Sequence, residues 1–191
     1  MDDDPAHSDP GWPSFNILLL MMVPMVGIRL AKSRLAADFL TRTRLVFISF
    51  SSALVLFGVV IAFLKVPGGS VMPWLAVLVA IAAASVFFTG VAVSKSLDCS
   101  SPGKLLESWR TRFFLVIAFN EAVALLAFVF TFIGGPKWIY YAGGAFTLFR
   151  FWTVAAPTRG ALARDQARLD AAGCNLSLVG LMLGIAPSDD A

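Results

Sequence analysis

Two ionisable side chains stand well inside long apolar runs of this 191-residue chain: Glu121 and Arg150. In hydrocarbon such groups serve one of three kinds of chemistry. They neutralise each other as an ion pair, they dock a partner subunit or polar ligand, or the carboxylate loads and releases a proton or cation. Insertion of Arg, Lys or Asp at the centre of an apolar helix costs roughly 2.5–3.5 kcal/mol, so compensation is required. Glu121 can shed its charge by protonation, at about 3.7 kcal/mol at pH 7 from a reference pKa near 4.3. Arg150 has no such route, because guanidinium stays protonated.

The two residues match in depth. Between their runs lies the turn Gly134–Lys137 (GGPK); Glu121 falls fourteen to fifteen residues before its centre and Arg150 the same distance after it. Counted from the other end, Arg112 to Glu121 and Arg150 to Arg159 are both nine residues. At about 1.5 Å per residue, both would sit roughly 13 Å from that end. On adjacent antiparallel helices they would meet, and an ion pair Glu121–Arg150 that fixes the rotation of its two helices is the expectation. Docking of a partner and an ion site at Glu121 are the alternatives.

Such residues need membrane helices to hold them. The chain is 58% hydrophobic and 14% charged, with mean hydropathy +0.80, against about 45–50% apolar and 25% charged in soluble domains. Four long runs carry the excess: Leu45–Leu64, Trp74–Ser94, Phe113–Ile133 and Trp138–Ala156. Each has about the length that crosses a bilayer, and internal backbone pairing makes helix nearly obligatory there. The turn Val66–Pro73 joins the first two runs, and Trp74, Trp138, Tyr140 and Tyr141 form an aromatic belt at its level. Twelve Lys and Arg residues flank one side of the runs and only Lys65 and Lys137 the other, which places the basic side and the C-terminus in the cytoplasm.

The fold expected is an all-α membrane protein, a four-helix transmembrane bundle built from a duplicated helical hairpin. Residues 1–13 are an acidic, disordered tail. Residues 14–44 hold a short hydrophobic segment, Phe15–Ile28, and a basic interfacial helix. Whether Phe15–Ile28 crosses decides between four and five spans. Hairpin 1 covers 45–94, a cytoplasmic loop 95–112, hairpin 2 113–156, and a cytoplasmic tail 157–191. Thr158 is an N-cap and Gly173 a stop for an amphipathic helix in that tail. The duplication rests on Thr41-Arg42-Thr43-Arg44 against Trp109-Arg110-Thr111-Arg112, then Phe50 with Phe119, Phe63 with Phe132, Trp74 with Trp138, and Phe87 and Thr89 with Phe151 and Thr153. Ala76, Ala80 and Ala84 form a small-residue ridge for close packing within the bundle, the alternative being an oligomer seam; Gly143 and Gly144 extend the packing argument.

Little else carries chemistry. Cys99 and Cys174 are isolated, and the one histidine, His7, is in the polar tail, so two reduced, inert cytoplasmic cysteines and no metal are expected. No catalytic residues, cofactor site or nucleic-acid surface is evident: the basic residues flank apolar runs and form no separate domain.

Phe113–Ile133 (FFLVIAFNEAVALLAFVFTFI) resembles the carboxylate-bearing helix of the c-subunit, or proteolipid, of rotary ATP synthases. The resemblance lies in Phe113-Phe114 after a basic loop, followed by Glu121-Ala122 at mid-membrane depth. It implies that Glu121 is an ion-binding carboxylate in a proteolipid-like hairpin. The chain departs from that family in lacking a glycine-rich ridge in its second run, in carrying Arg150 itself, and in its charged tail. The reading adopted is therefore a non-enzymatic accessory or assembly subunit of a transport or energy-transducing complex in the cell inner membrane. Its partners are other membrane subunits and lipid, with self-association an open alternative. The competing reading is a proton- or cation-translocating protein using Glu121.

Overall fold

The structure is a computed structural model that describes Trp12 and residues 38–65 and 72–185. Phe15–Ile28 and the basic stretch up to residue 37 lie outside the described residues, as do most of the acidic tail, most of the first turn and residues 186–191. Among the described residues the chain is helical, without strands. In chain order the elements are α1 (Phe39–Phe63), α2 (Met72–Ser94), α3 (Pro102–Phe132), α4 (Trp138–Arg150), a π-helical segment (Phe151–Ala155), α5 (Arg159–Ala171) and α6 (Leu178–Met182).

Three helices are long and apolar enough to cross a membrane: α1, α2 from Pro73 onward, and α3. The fourth apolar run is helical but irregular. Its thirteen α-helical residues rise only about 20 Å, short of the roughly 30 Å hydrocarbon core, and the run continues as the π segment. Two boundaries differ from expectation. α1 begins at Phe39, so Arg42 and Arg44 stand on the spanning helix itself. α3 begins at Pro102, so most of the expected loop 95–112 is its first three turns; the connection is residues 95–101.

The chain divides into two compact units, Phe50–Ser96 with Arg110–Ala155, and Met1–Ser49 with Leu97–Trp109 and Ala156–Ala191. The first, the span unit, has its core at Leu78, Val123, Ala127 and Ile139, with Trp74, Ile81, Ala82, Phe130 and Phe146 against it. α2, α3 and α4 meet there because Gly143 has no side chain: a Cβ on it would stand 2.7 Å from the Ala127 Cβ and 3.3 Å from the Val123 carbonyl oxygen. At Gly144 a Cβ would meet only the Tyr140 ring, at an ordinary 3.7 Å. α1 joins α4 through tyrosine hydroxyls, Tyr140 donating to the Leu54 carbonyl and Tyr141 to the Gly58 carbonyl at 3.2 Å. An apolar groove of about 420 Å³ runs beside Gly58 and Gly144.

The alanine ridge does not pack inside the chain. Ala76, Ala80 and Ala84 are all exposed, whereas α2 buries Leu78, Ser85, Thr89 and Ala92. Both sets repeat at near-helical spacing, and the face bearing hydroxyls is the one turned inward. The expected duplication also lacks a counterpart in environment. Phe87 is 66% exposed and Thr89 1%, whereas Phe151 is 0% exposed and Thr153 is exposed.

The second, terminal unit combines buried apolar side chains, among them Leu40, Phe47, Leu105, Leu162, Leu178 and Met182, with polar contacts. Buried Arg44 donates from Nε to the Pro157 carbonyl at 3.2 Å and lies over the Trp12 ring, which also packs against Phe47. Trp109 Nε1 donates to Asp165 Oδ2 at 3.1 Å. Thr158 caps α5, accepting from the Ala161 amide, and Gly173 ends it with φ +77°. Gln166 accepts from the Leu178 amide at 2.7 Å and so docks α6. Cys99 and Cys174, expected to be isolated thiols, form a disulfide with a Cα–Cα distance of 6.1 Å across 75 residues of sequence. Sequence separation hid the pair; the fold brings the 97–101 turn and the end of α5 together.

In that turn Asp98 Oδ1 accepts from the Ser100 amide at 2.9 Å. Hydrogen bonding from Ser100 holds the Asp98 carboxyl below its ordinary value of 3.8. A lowered folded pKa stabilises the turn above the unfolded pKa and loses that effect as pH falls through the folded one. The protection of the Ser100 amide from hydrogen exchange, relative to its intrinsic rate at each pH, is thus expected to hold down to pH 3.8 and to fall only below it, while an Asp98→Asn variant shows no such acid-dependent loss of protection.

Gly143→Leu forces α3 and α4 apart, and overpacking of this kind costs about 1–3 kcal/mol. Thermal unfolding in detergent is expected to show that loss for Gly143→Leu and none for Ala80→Leu.

Candidate functional site

The polar groups of the spans converge on Asn120. In hydrocarbon a carboxamide must find its partners within protein, and this one finds four. Its Oδ1 accepts from Ser85 Oγ at 3.3 Å and from Arg150 Nε at 3.3 Å. Its Nδ2 donates to Thr89 Oγ1 at 3.0 Å and to the Val116 carbonyl at 2.7 Å. Two acceptor positions and two donors are the whole capacity of the group. Because a guanidinium only donates, the contact with Arg150 requires the oxygen on that side. The Asn120 main-chain carbonyl accepts a further bond, from Thr147 Oγ1 at 2.9 Å. Asn120 and Thr147 are 0% exposed and Thr89 1%.

Local sequence places each member. Ser85 and Thr89 are four residues apart, so both lie on one face of α2. Thr147 and Arg150 are three apart on α4, with Gly143 four before Thr147, so the stripe that admits close approach also carries the donors. On α3 the buried positions Val116, Asn120, Val123, Ala124, Ala127 and Thr131 follow the helical period and bring Asn120 inward.

The expected ion pair is not formed. Among the described residues Glu121 has no hydrogen-bond or ion-pair partner, and Arg150 is bonded to Asn120 instead. The physical reason is angular. Neighbouring residues on a helix point about 100° apart at 3.6 residues per turn, so the buried Asn120 faces α4 while half-buried Glu121 is turned aside. Depth counting placed Arg150 opposite this level of α3 and missed the facing residue by one. Ser85, Thr89, Asn120 and Thr147 carry no charge, so charge alone does not single them out. The signal available was hydroxyl and amide residues inside otherwise apolar runs.

Arg150 is also the last residue of α4, where the helix changes to the π form. Thr153 Oγ1 donates to the Phe149 carbonyl at 2.9 Å and more weakly to that of Arg150 at 3.4 Å. Single π turns concentrate at functional sites. Among the described residues no three His, Cys, Asp or Glu side chains converge to hold a metal ion.

Comparison with known proteins finds no matching family model, no matching curated protein and no matching solved structure, and the proteolipid resemblance gains no support from it.

Asn120→Ala removes every side-chain bond of the cluster centre. Hydrogen bonds between membrane helices are worth about 0.6 kcal/mol on average and up to about 1.7, so a loss of roughly 1–3 kcal/mol is expected from the bonds and the unsatisfied hydroxyls left behind. Glu121→Gln, which breaks no bond, is expected to leave unfolding in detergent unchanged.

Proposed function

We propose that this chain is a non-enzymatic accessory or assembly subunit of a larger membrane complex, joined to its partner through the charges at Arg150 and Glu121. The single observation that carries this reading is the bonding of Arg150. Its one hydrogen-bond partner is a neutral amide, so a full positive charge inside an apolar run has no counter-charge within the described residues. Lipid tails supply none either. A carboxylate on a neighbouring subunit's helix would, at a site where both charges are half-buried and reachable. Unpaired intramembrane charges that meet only on assembly make association specific, because each subunit alone bears the desolvation cost.

In this reading the fourth run completes a four-span bundle through its π turn, and the basic side with the C-terminus faces the cytoplasm of the inner membrane. The exposed Ala76, Ala80 and Ala84 ridge supplies a second surface against which another helix, from a partner or a second copy, can pack closely.

A second reading keeps Glu121 as a proton- or cation-carrying carboxylate. It is favoured by one observation, that Glu121 is partly exposed and its side chain has no bonding partner among the described residues. A carbodiimide that attacks protonated carboxyl groups from the lipid phase separates the two, since labelling at Glu121 supports the ion site and resistance supports docking.

Native electrophoresis in mild detergent tests the main reading. The wild type is expected in a species heavier than its own detergent-bound monomer, and Arg150→Gln, which can still bond Asn120 but carries no charge, is expected to fall to the monomer. Identical migration of the two proteins defeats the proposal.

A further inference from the structure

The disulfide sits on the side of the chain that the positive-inside rule assigns to the cytoplasm, a compartment that keeps thiols reduced. Cys99 lies between two groups of basic residues, after Lys95 and before Lys104, and Cys174 follows Arg168. Disulfides in such a compartment are mostly transient, formed in catalysis or redox sensing. We infer that Cys99 and Cys174 are a reversible, redox-responsive thiol pair that ties the C-terminal segment to the 97–101 turn on oxidation.

Both cysteines are placed by bonds that do not involve sulfur. Asp98 accepts from the Ser100 amide and its own amide donates to Ser108 Oγ at 3.1 Å, which fixes the turn around Cys99. Gly173, with φ +77°, reverses the chain at the end of α5. The Gly173 amide then bonds the Asp170 carbonyl and the Cys174 amide the Leu169 carbonyl, both at 3.0 Å. This paired closure, typical of a helix ended by glycine, aims Cys174 from a defined position. The Trp109–Asp165 bond holds the start of α3 to α5 independently. Reduction therefore leaves the sulfurs close, with their Cα atoms within the 4.4–6.8 Å range that a disulfide spans.

Access is unequal. Cys99 is partly exposed, whereas Cys174 is 8% exposed. A small-molecule disulfide of the glutathione class is the matching oxidant. The Cys99 thiolate attacks one of its sulfurs, forming a mixed disulfide and releasing one thiol. Buried Cys174, as thiolate, then displaces the second thiol and closes the internal bond. Two protein thiols become one disulfide, and the small disulfide becomes two thiols. The reverse sequence reopens the pair.

The inference rests on the cytoplasmic placement of the basic side, and the experiment separates the two. Acid-quenched resting cells, alkylated with a maleimide polymer under denaturing conditions, are expected to give two adducts per chain. Inside-out vesicles treated with oxidised glutathione are expected to lose both adducts together and to regain both in reduced glutathione. By mass, wild type loses two hydrogens and carries no glutathione, whereas Cys174→Ser retains one glutathione on Cys99. A disulfide already complete in resting cells, or thiols that stay free under oxidised glutathione, overturns the switch. A membrane-impermeant maleimide is expected to reach Cys99 of the Cys174→Ser protein only in inside-out vesicles. Labelling in intact cells refutes the sidedness instead, a result distinct from a cytoplasmic pair that is locked or inert.

Discussion

The Asn120 carboxamide sets the rotation of α2, α3 and α4 about their own axes. Lipid tails are as apolar as leucine, so hydrophobicity gives a membrane helix no preferred face, and rotation must come from close packing and polar bonds. Here both come from the same seam. Ser85 and Thr89 present hydroxyls from one side, Thr147 and Arg150 present donors from another, and Gly143 lets the backbones approach closely enough for those bonds to form. Rotating α3 by one residue would carry Asn120 away from α4 and leave up to four polar groups unsatisfied in hydrocarbon.

That dependence explains what the amino-acid sequence disclosed. Depth along a helix follows from counting residues, and the count placed Arg150 at the right level of α3. Direction around the helix follows from periodicity, and the runs are apolar on all sides, so charge singles out Glu121 although its neighbour Asn120 is the one that faces inward. The alanine ridge of α2 misled in the same way. Four-residue spacing marks a face without saying which way it points; the hydroxyls of Ser85 and Thr89, which must be bonded, say more. Local signals were legible because they need no knowledge of rotation. Thr158 caps α5 and Gly173 ends it, as residue type and position indicated. The Cys99–Cys174 pair had no local signal, since only the fold brings together residues 75 apart.

The two units use polar groups differently. In the terminal unit, polar contacts stand beside buried Leu40, Phe47, Leu105, Leu162, Leu178 and Met182: Trp109 bonds Asp165, Gln166 holds the Leu178 amide, and buried Arg44 meets the Pro157 carbonyl. Such contacts specify geometry strongly and stabilise modestly, since each net hydrogen bond is worth about 0.5–1.5 kcal/mol.

Bonding also distinguishes the polar groups that build the fold from those that do something else. Among the described residues no buried side-chain nitrogen or oxygen lacks a hydrogen-bond partner. Each neutral polar side chain of the seam has at least one hydrogen-bond partner, and Asn120 uses its full capacity. Among the described residues the Glu121 side chain makes no bond, and Arg150, with five donors available, makes one side-chain bond, to an amide that already has three other partners. A leucine at 121 would serve the span at no cost in charge, and a glutamine at 150 could serve Asn120 as well. Among the described residues, charge at those two positions serves no bond that a neutral side chain could not.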